Sequence, residues 1–98
     1  MNPLNATVRA LLVHPKDNIA TLMNRADSGD NVVITDLELM RLGTIRLEDS
    51  IESFHKVSVH EITSGEHVIK FGESIGVSSQ RIPQGSHVHV HNVISDRL

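Results

Sequence analysis

The chain has no cysteine, tryptophan or tyrosine, and Phe54 and Phe71 are its only aromatic side chains. Without thiols there are no disulfides, thiolate metal sites or cysteine nucleophiles, and a cytoplasmic location is the expectation. Two aromatic rings leave almost nothing for bases to stack on. Nine Lys and Arg against twelve Asp and Glu give a formal charge of −3, and the basic residues are scattered. The footprint of a nucleic-acid-binding protein is therefore missing. Long apolar runs are missing as well. Ala10-Leu11-Leu12-Val13 is far shorter than a signal-peptide core or a membrane span, so the chain is expected to be soluble and unprocessed. Asn5-Ala6-Thr7 matches a glycosylation acceptor, a pattern that carries information only in a secreted protein. No Gly-x-Ser-x-Gly elbow is present, which removes that route to a nucleophilic serine. Gly72 and Gly76 lack the Gly-Lys-Ser/Thr ending of a phosphate loop and read instead as bends or bulges in a sheet.

What remains is a chain of 98 residues and 10.8 kDa, room for one domain with one core. With 39% apolar residues that core is expected to be Val, Ile, Leu and Met. A domain of this size buries roughly 60–65% of its unfolded surface, so contacts with a partner or within a homo-oligomer would add usefully to it. Short apolar runs punctuated by turn residues favour a mainly β domain. Val32–Thr35, His55–Val59, Val68–Phe71, Ser74–Val77 and His87–His91 are β-branched or alternate with period two. Ser28-Gly29-Asp30-Asn31, Thr63-Ser64-Gly65-Glu66 and Ile82-Pro83-Gln84-Gly85 supply turns between them, the last spaced as a type I turn. Lys16–Ala26 fits a helix or a strand. In Asp36–Leu47, Leu37, Leu39, Met40 and Leu42 fit one short helix ended by Gly43 before a strand-like Thr44–Leu47. At most one or two short helices are expected. No repeat is visible, and Ile94–Leu98 reads as a tail.

Three of the seven histidines are His87, His89 and His91. In a strand they share one face, with Val88 and Val90 on the other. Neighbouring rings of such a set stand about 6.5–7 Å apart at the backbone, so His87 with His89, or His89 with His91, is the sensible metal-ligand pair. Carboxylates or waters would complete a site for Fe²⁺, Mn²⁺ or Zn²⁺. The same alternation also marks any half-exposed strand. His55, at a strand start, is a candidate general acid or base, while His14, His60 and His67 read as structural or exposed.

His55-Lys56-Val57-Ser58-Val59-His60-Glu61-Ile62, the stretch from Gly65 to Gly76, and Ile82-Pro83-Gln84-Gly85-Ser86-His87-Val88-His89-Val90-His91-Asn92 together resemble the N-terminal domain of altronate dehydratases. They also resemble the small subunit of sulfolactate sulfo-lyase. With His14-Pro15-Lys16-Asp17-Asn18-Ile19-Ala20 the resemblance runs from about His14 to Asn92, the expected core of a single domain over 1–98. It implies a SAF-type β-clip of short curled strands and turns Asn18–Ala26 toward strand. It also implies the chemistry of a hydro-lyase subunit or domain that is not active alone. The partner would be a large catalytic subunit, the cofactor a divalent metal (Fe²⁺ or Mn²⁺), and the substrate a sugar acid or a sulfonated hydroxy acid. Under the resemblance the histidine strand and the pair His55 and Lys56 are candidates for facing the partner's active site. A non-catalytic carbohydrate-binding or oligomerisation module is the alternative, since fold alone does not fix function.

Overall fold

The structure, a computed structural model, describes residues 7–95; Asn5 and Ala6 of the glycosylation triplet and the last three residues of the tail lie outside them. The described residues hold nine strands and no helix. In chain order they are β1 (Arg9–Leu11), β2 (Ile19–Leu22), β3 (Asn31–Thr35), β4 (Arg41–Arg46), β5 (Lys56–Ser58), β6 (His67–Lys70), β7 (Glu73–Ser78), β8 (His87–Val88) and β9 (Val93–Ile94). Six form a sheet in the order β4-β3-β1-β2-β5-β8, and the other three form a second sheet, β6-β7-β9. Among the described strands only the β1–β3 pairing is parallel.

Side chains on a strand point alternately to its two faces, and β2 uses this to serve two clusters of buried residues. Ala20 and Leu22 join Ala10, Val32, Leu47, Ile51 and Val57 in one cluster, while Ile19 joins Ile62, Val68, Ile82 and Val88 in the other. The expected single core is thus two clusters that share a strand. No methionine is buried among the described residues: Met40 is exposed and Met23 half-buried. The polar joint between the sheets is Asp17-Asn18. The buried Asn18 amide donates to the His67 carbonyl and accepts from the Ile69 N–H, and Asp17 accepts from the N–H groups of His14 and Gly72. No buried side-chain nitrogen or oxygen among the described residues lacks a partner, as burial of polar groups demands.

Four turns share one construction. In each, a buried apolar residue (Ala26, Ile51, Ile62 or Ile82) precedes a tight turn whose third residue has positive φ: Gly29 (91°), Phe54 (67°), Gly65 (84°) and Gly85 (85°). The N–H of that residue donates to a carbonyl on a neighbouring segment: Leu47, Leu22, Ser78 and Ser58 respectively. The N–H of each of these four donates back to the carbonyl of the turn's fourth residue: Asp30, His55, Glu66 and Ser86. The buried residues pair across as antiparallel bridges, Ala26 with Ile51 and Ile62 with Ile82. Three of these turns carry the glycine that marks them as turns in the sequence, but Phe54 takes that place in the fourth, so the recurrence as a set emerges only from the backbone torsion. Gly85 is the tightest case. A Cβ there would lie 2.1 Å from the Arg46 carbonyl oxygen. The turn is also displaced from the expected one: the Ser86 N–H bonds to the Pro83 carbonyl, placing Gly85 at the third position, where type II turns require positive φ.

The helix considered for Asp36–Leu47 is absent. Asp36 Oδ1 accepts the N–H groups of Glu38 and Met40, a side-chain turn that competes with helix formation. Leu39 takes φ 64°, and Gly43 lies within β4, paired with Ile34. Leu37, Leu39, Met40 and Leu42 are exposed at this hairpin. Lys16–Ala26 contains β2, and Ile94, read as tail, is the last residue of β9. Gly72 (φ 80°) turns the β6–β7 hairpin, and Gly76 lies beside the register shift between Val68 and Ile69.

Candidate functional site: a histidine cluster

Strand β8 is an edge of the six-stranded sheet and pairs with β5, setting His87 opposite Val57 and Val88 opposite Lys56. His55 immediately precedes β5, held there by the turn containing Phe54. Four imidazoles gather as a result. Ring centroids are 5.1 Å apart for His55 and His87, 5.2 Å for His55 and His89, 5.4 Å for His87 and His89, and 5.4 Å for His87 and His91. His55 Nδ1 and His87 Nε2 are 3.0 Å apart. One ligand nitrogen from each of His55, His87 and His89 falls within 4.8 Å of the others.

The run from His87 to His91 is not one strand. Extended pairing stops at Val88, and the Asn92 N–H closes a turn onto the His89 carbonyl at 3.1 Å. Buried Asn92 holds the bend: Oδ1 accepts from the His89 N–H and Nδ2 donates to the His87 carbonyl, both at 2.9 Å. A side chain that takes up backbone groups in this way ends a ladder. Val90, expected to be buried opposite the histidines, is 81% exposed. Even so, His87 and His89 converge, and His55 joins them as third member where His91 reaches only His87. Asp49, which accepts the His87 N–H at 2.8 Å, and Asn92 are positioning residues that sequence reasoning missed. The one available signal was an asparagine, a turn former, directly after the histidine run.

Lys56 is separated from the His55–His87 contact. It lines a cavity of about 250 Å³ together with Ile75, Val88 and His89, so His89 belongs to both groups. Burial, and to a smaller degree Lys70, lower its pKa from the ordinary lysine value. A second cavity, of about 380 Å³, is lined by Glu48, Asp49, Arg81, His91 and Asn92 among others. Burial lowers the pKa of His87, followed by the nearby His55, His91 and His89, with Asp49 opposing. The neutral imidazole this favours is the form that accepts a proton or ligates a metal. His14, His60 and His67 form local hydrogen bonds with the Lys16 N–H, the Glu61 carbonyl and the Ser74 hydroxyl, away from the cluster.

This arrangement sits in a chain whose relatives are lyases. Altronate dehydratase of Bacillus subtilis (strain 168) is 29% identical over 80 residues. Altronate dehydratase of Escherichia coli (strain K12) is 31% identical over 80 residues. Each of these matches covers 82% of this chain but 15% of the relative, so the chain spans a small part of their length. The (2R)-sulfolactate sulfo-lyase subunit alpha of Chromohalobacter salexigens is 31% identical over 88 residues, 88% of this chain and 94% of that subunit. Residues 8–96 match the altronate/galactarate dehydratase SAF domain. With that match extending over nearly the whole sequence, the chain belongs to the altronate/galactarate dehydratase SAF-domain family.

Proposed function

We propose that this chain is the SAF domain or small subunit of a cytoplasmic sugar-acid lyase, acting with a large catalytic subunit to eliminate water from a hydroxy acid. The observation that carries this reading is the family match over residues 8–96, joined to a histidine cluster at an accessible edge of the domain. In such an elimination a base removes the proton next to the carboxylate and an acid protonates the departing hydroxyl. Lys56, which lines a cavity beside His89 and whose pKa burial lowers, is the proton carrier proposed here, with the histidine cluster facing the substrate. Fe²⁺ or Mn²⁺, when bound, would supply a Lewis acid for the acid or hydroxyl oxygen. The 94% coverage of a sulfo-lyase subunit alpha favours a second reading of the same kind, elimination of sulfite from sulfolactate.

The test is co-expression with a large lyase subunit and assay on altronate, galactarate and sulfolactate with Fe²⁺ or Mn²⁺ added. Turnover requires both chains, and His89→Ala lowers it at least about tenfold. Equal turnover without this chain would defeat the proposal. Which substrate is consumed decides between water and sulfite elimination.

A further inference from the structure

We propose that His55, His87 and His89 of this chain form a three-nitrogen site for one divalent transition ion, with His91 outside the ligand set. Ligation by imidazole at ~2.0–2.1 Å requires neighbouring nitrogens roughly 3.0–3.4 Å apart. His55 Nδ1 and His87 Nε2 stand at 3.0 Å already. One nitrogen from each of the three rings lies within 4.8 Å of the others, and because His89 is exposed its ring can rotate to make the remaining closure. Hydrogen bonds hold the two loops in place: the Asn92 and Asp49 side chains fix the backbone of His87 and His89, and backbone bonds between Leu22 and the Phe54–His55 turn fix His55. Among the described imidazoles His91 pairs with His87 alone, at ring centroids 5.4 Å apart, and it lines the separate cavity beside Asp49 and Arg81.

The donor set also selects the ion. Three imidazoles without a carboxylate suit Fe²⁺, Co²⁺, Ni²⁺, Cu²⁺ or Zn²⁺ better than Mn²⁺ or Mg²⁺, which prefer oxygen. Three protein ligands leave coordination positions open on the exposed side, as in catalytic rather than structural sites. The site deepens the lyase reading but does not need a partner chain to bind an ion.

The test uses the tag-free, chelator-stripped chain alone, with Zn²⁺ and Co²⁺ as probes in titration calorimetry and visible absorption. One ion binds per chain, at least about tenfold more tightly than Mn²⁺. His89→Ala weakens binding at least about tenfold, whereas His91→Ala and His60→Ala leave it within about twofold. Because His87→Ala could unfold the edge, the unmodified chain gives an independent readout. Substoichiometric Co²⁺ shifts the ring resonances of His55, His87 and His89 before those of His14, His60 and His67. Absence of stoichiometric binding, undiminished binding by His89→Ala, or first shifts at the other histidines overturns the site. None of these results touches the two-chain activity assay, so the site and the lyase reading fail separately.

Discussion

His87 illustrates how one side chain's surroundings translate into a measurable pH effect. Its folded pKa lies below the ordinary 6.5 because of burial and the neighbouring His55, His91 and His89, with Asp49 opposing. Between the folded value and about 6.5 the unfolded chain binds more protons, so the stability His87 contributes is full above about 6.5 and is lost as the solution is acidified through that window. In chelator-containing buffer the urea midpoint is therefore lower at pH 5 than at pH 7.5, and His87→Gln flattens the difference. An unchanged slope in the variant would remove His87 as its source. Phe54 is a second residue-scale case. It occupies with φ 67° and 69% exposure the place that glycine takes in the three sister turns. A left-handed torsion costs a side-chain-bearing residue roughly 1–2 kcal/mol, partly offset in glycine by its greater unfolded-state freedom. Phe54→Gly is expected to raise unfolding free energy by up to about 1 kcal/mol in denaturant titration. A loss of stability would show that the ring packs more than its exposure indicates.

At the scale of elements, the five strand candidates each overlap an observed strand, because β-branched residues in short runs are a local signal. β1 and β9 were not legible. Arg9-Ala10-Leu11 has no β-branched residue, and Val93-Ile94 is two residues long, so both owe their extended form to partners: β2 and β3 for the first, β7 for the second. β8 was read too long for the opposite reason, since alternation is indifferent to the Asn92 side chain that bends the chain after Val88. The loop from His87 to Asn92 can be tested as a unit. Asn92→Ala removes two side-chain bonds to backbone groups and leaves those groups unpaired near the core, at about 2–3 kcal/mol. It is also expected to scatter the histidine rings. Asn92→Asp keeps the acceptor and loses the donor, so its denaturation midpoint falls between wild type and Asn92→Ala. Equal midpoints for all three would show that the loop is held by something else.

For the whole molecule, composition and spacing pointed to a mainly β architecture, and the order of motifs pointed to the family. The convergence of His55 on the β8 loop was not readable, because 32 residues separate it from His87 and only the β5–β8 pairing closes that distance. The two-cluster interior was equally hidden, since it depends on which strands share faces. The paired turns have a consequence for motion. Turn amides ordinarily exchange with solvent quickly, but the N–H groups of Gly29, Phe54, Gly65 and Gly85 are all engaged to neighbouring segments. Opening any one of them means separating two parts of the chain rather than fraying a loop tip. Their deuterium uptake, followed by NMR, should therefore be as slow as that of the central strands β1 and β2, and all four should speed up together under mild denaturant. Fast, independent uptake at these positions would mean that each turn breathes separately. Slow, joint uptake would mean that the histidine-bearing edge loosens only when the domain as a whole does.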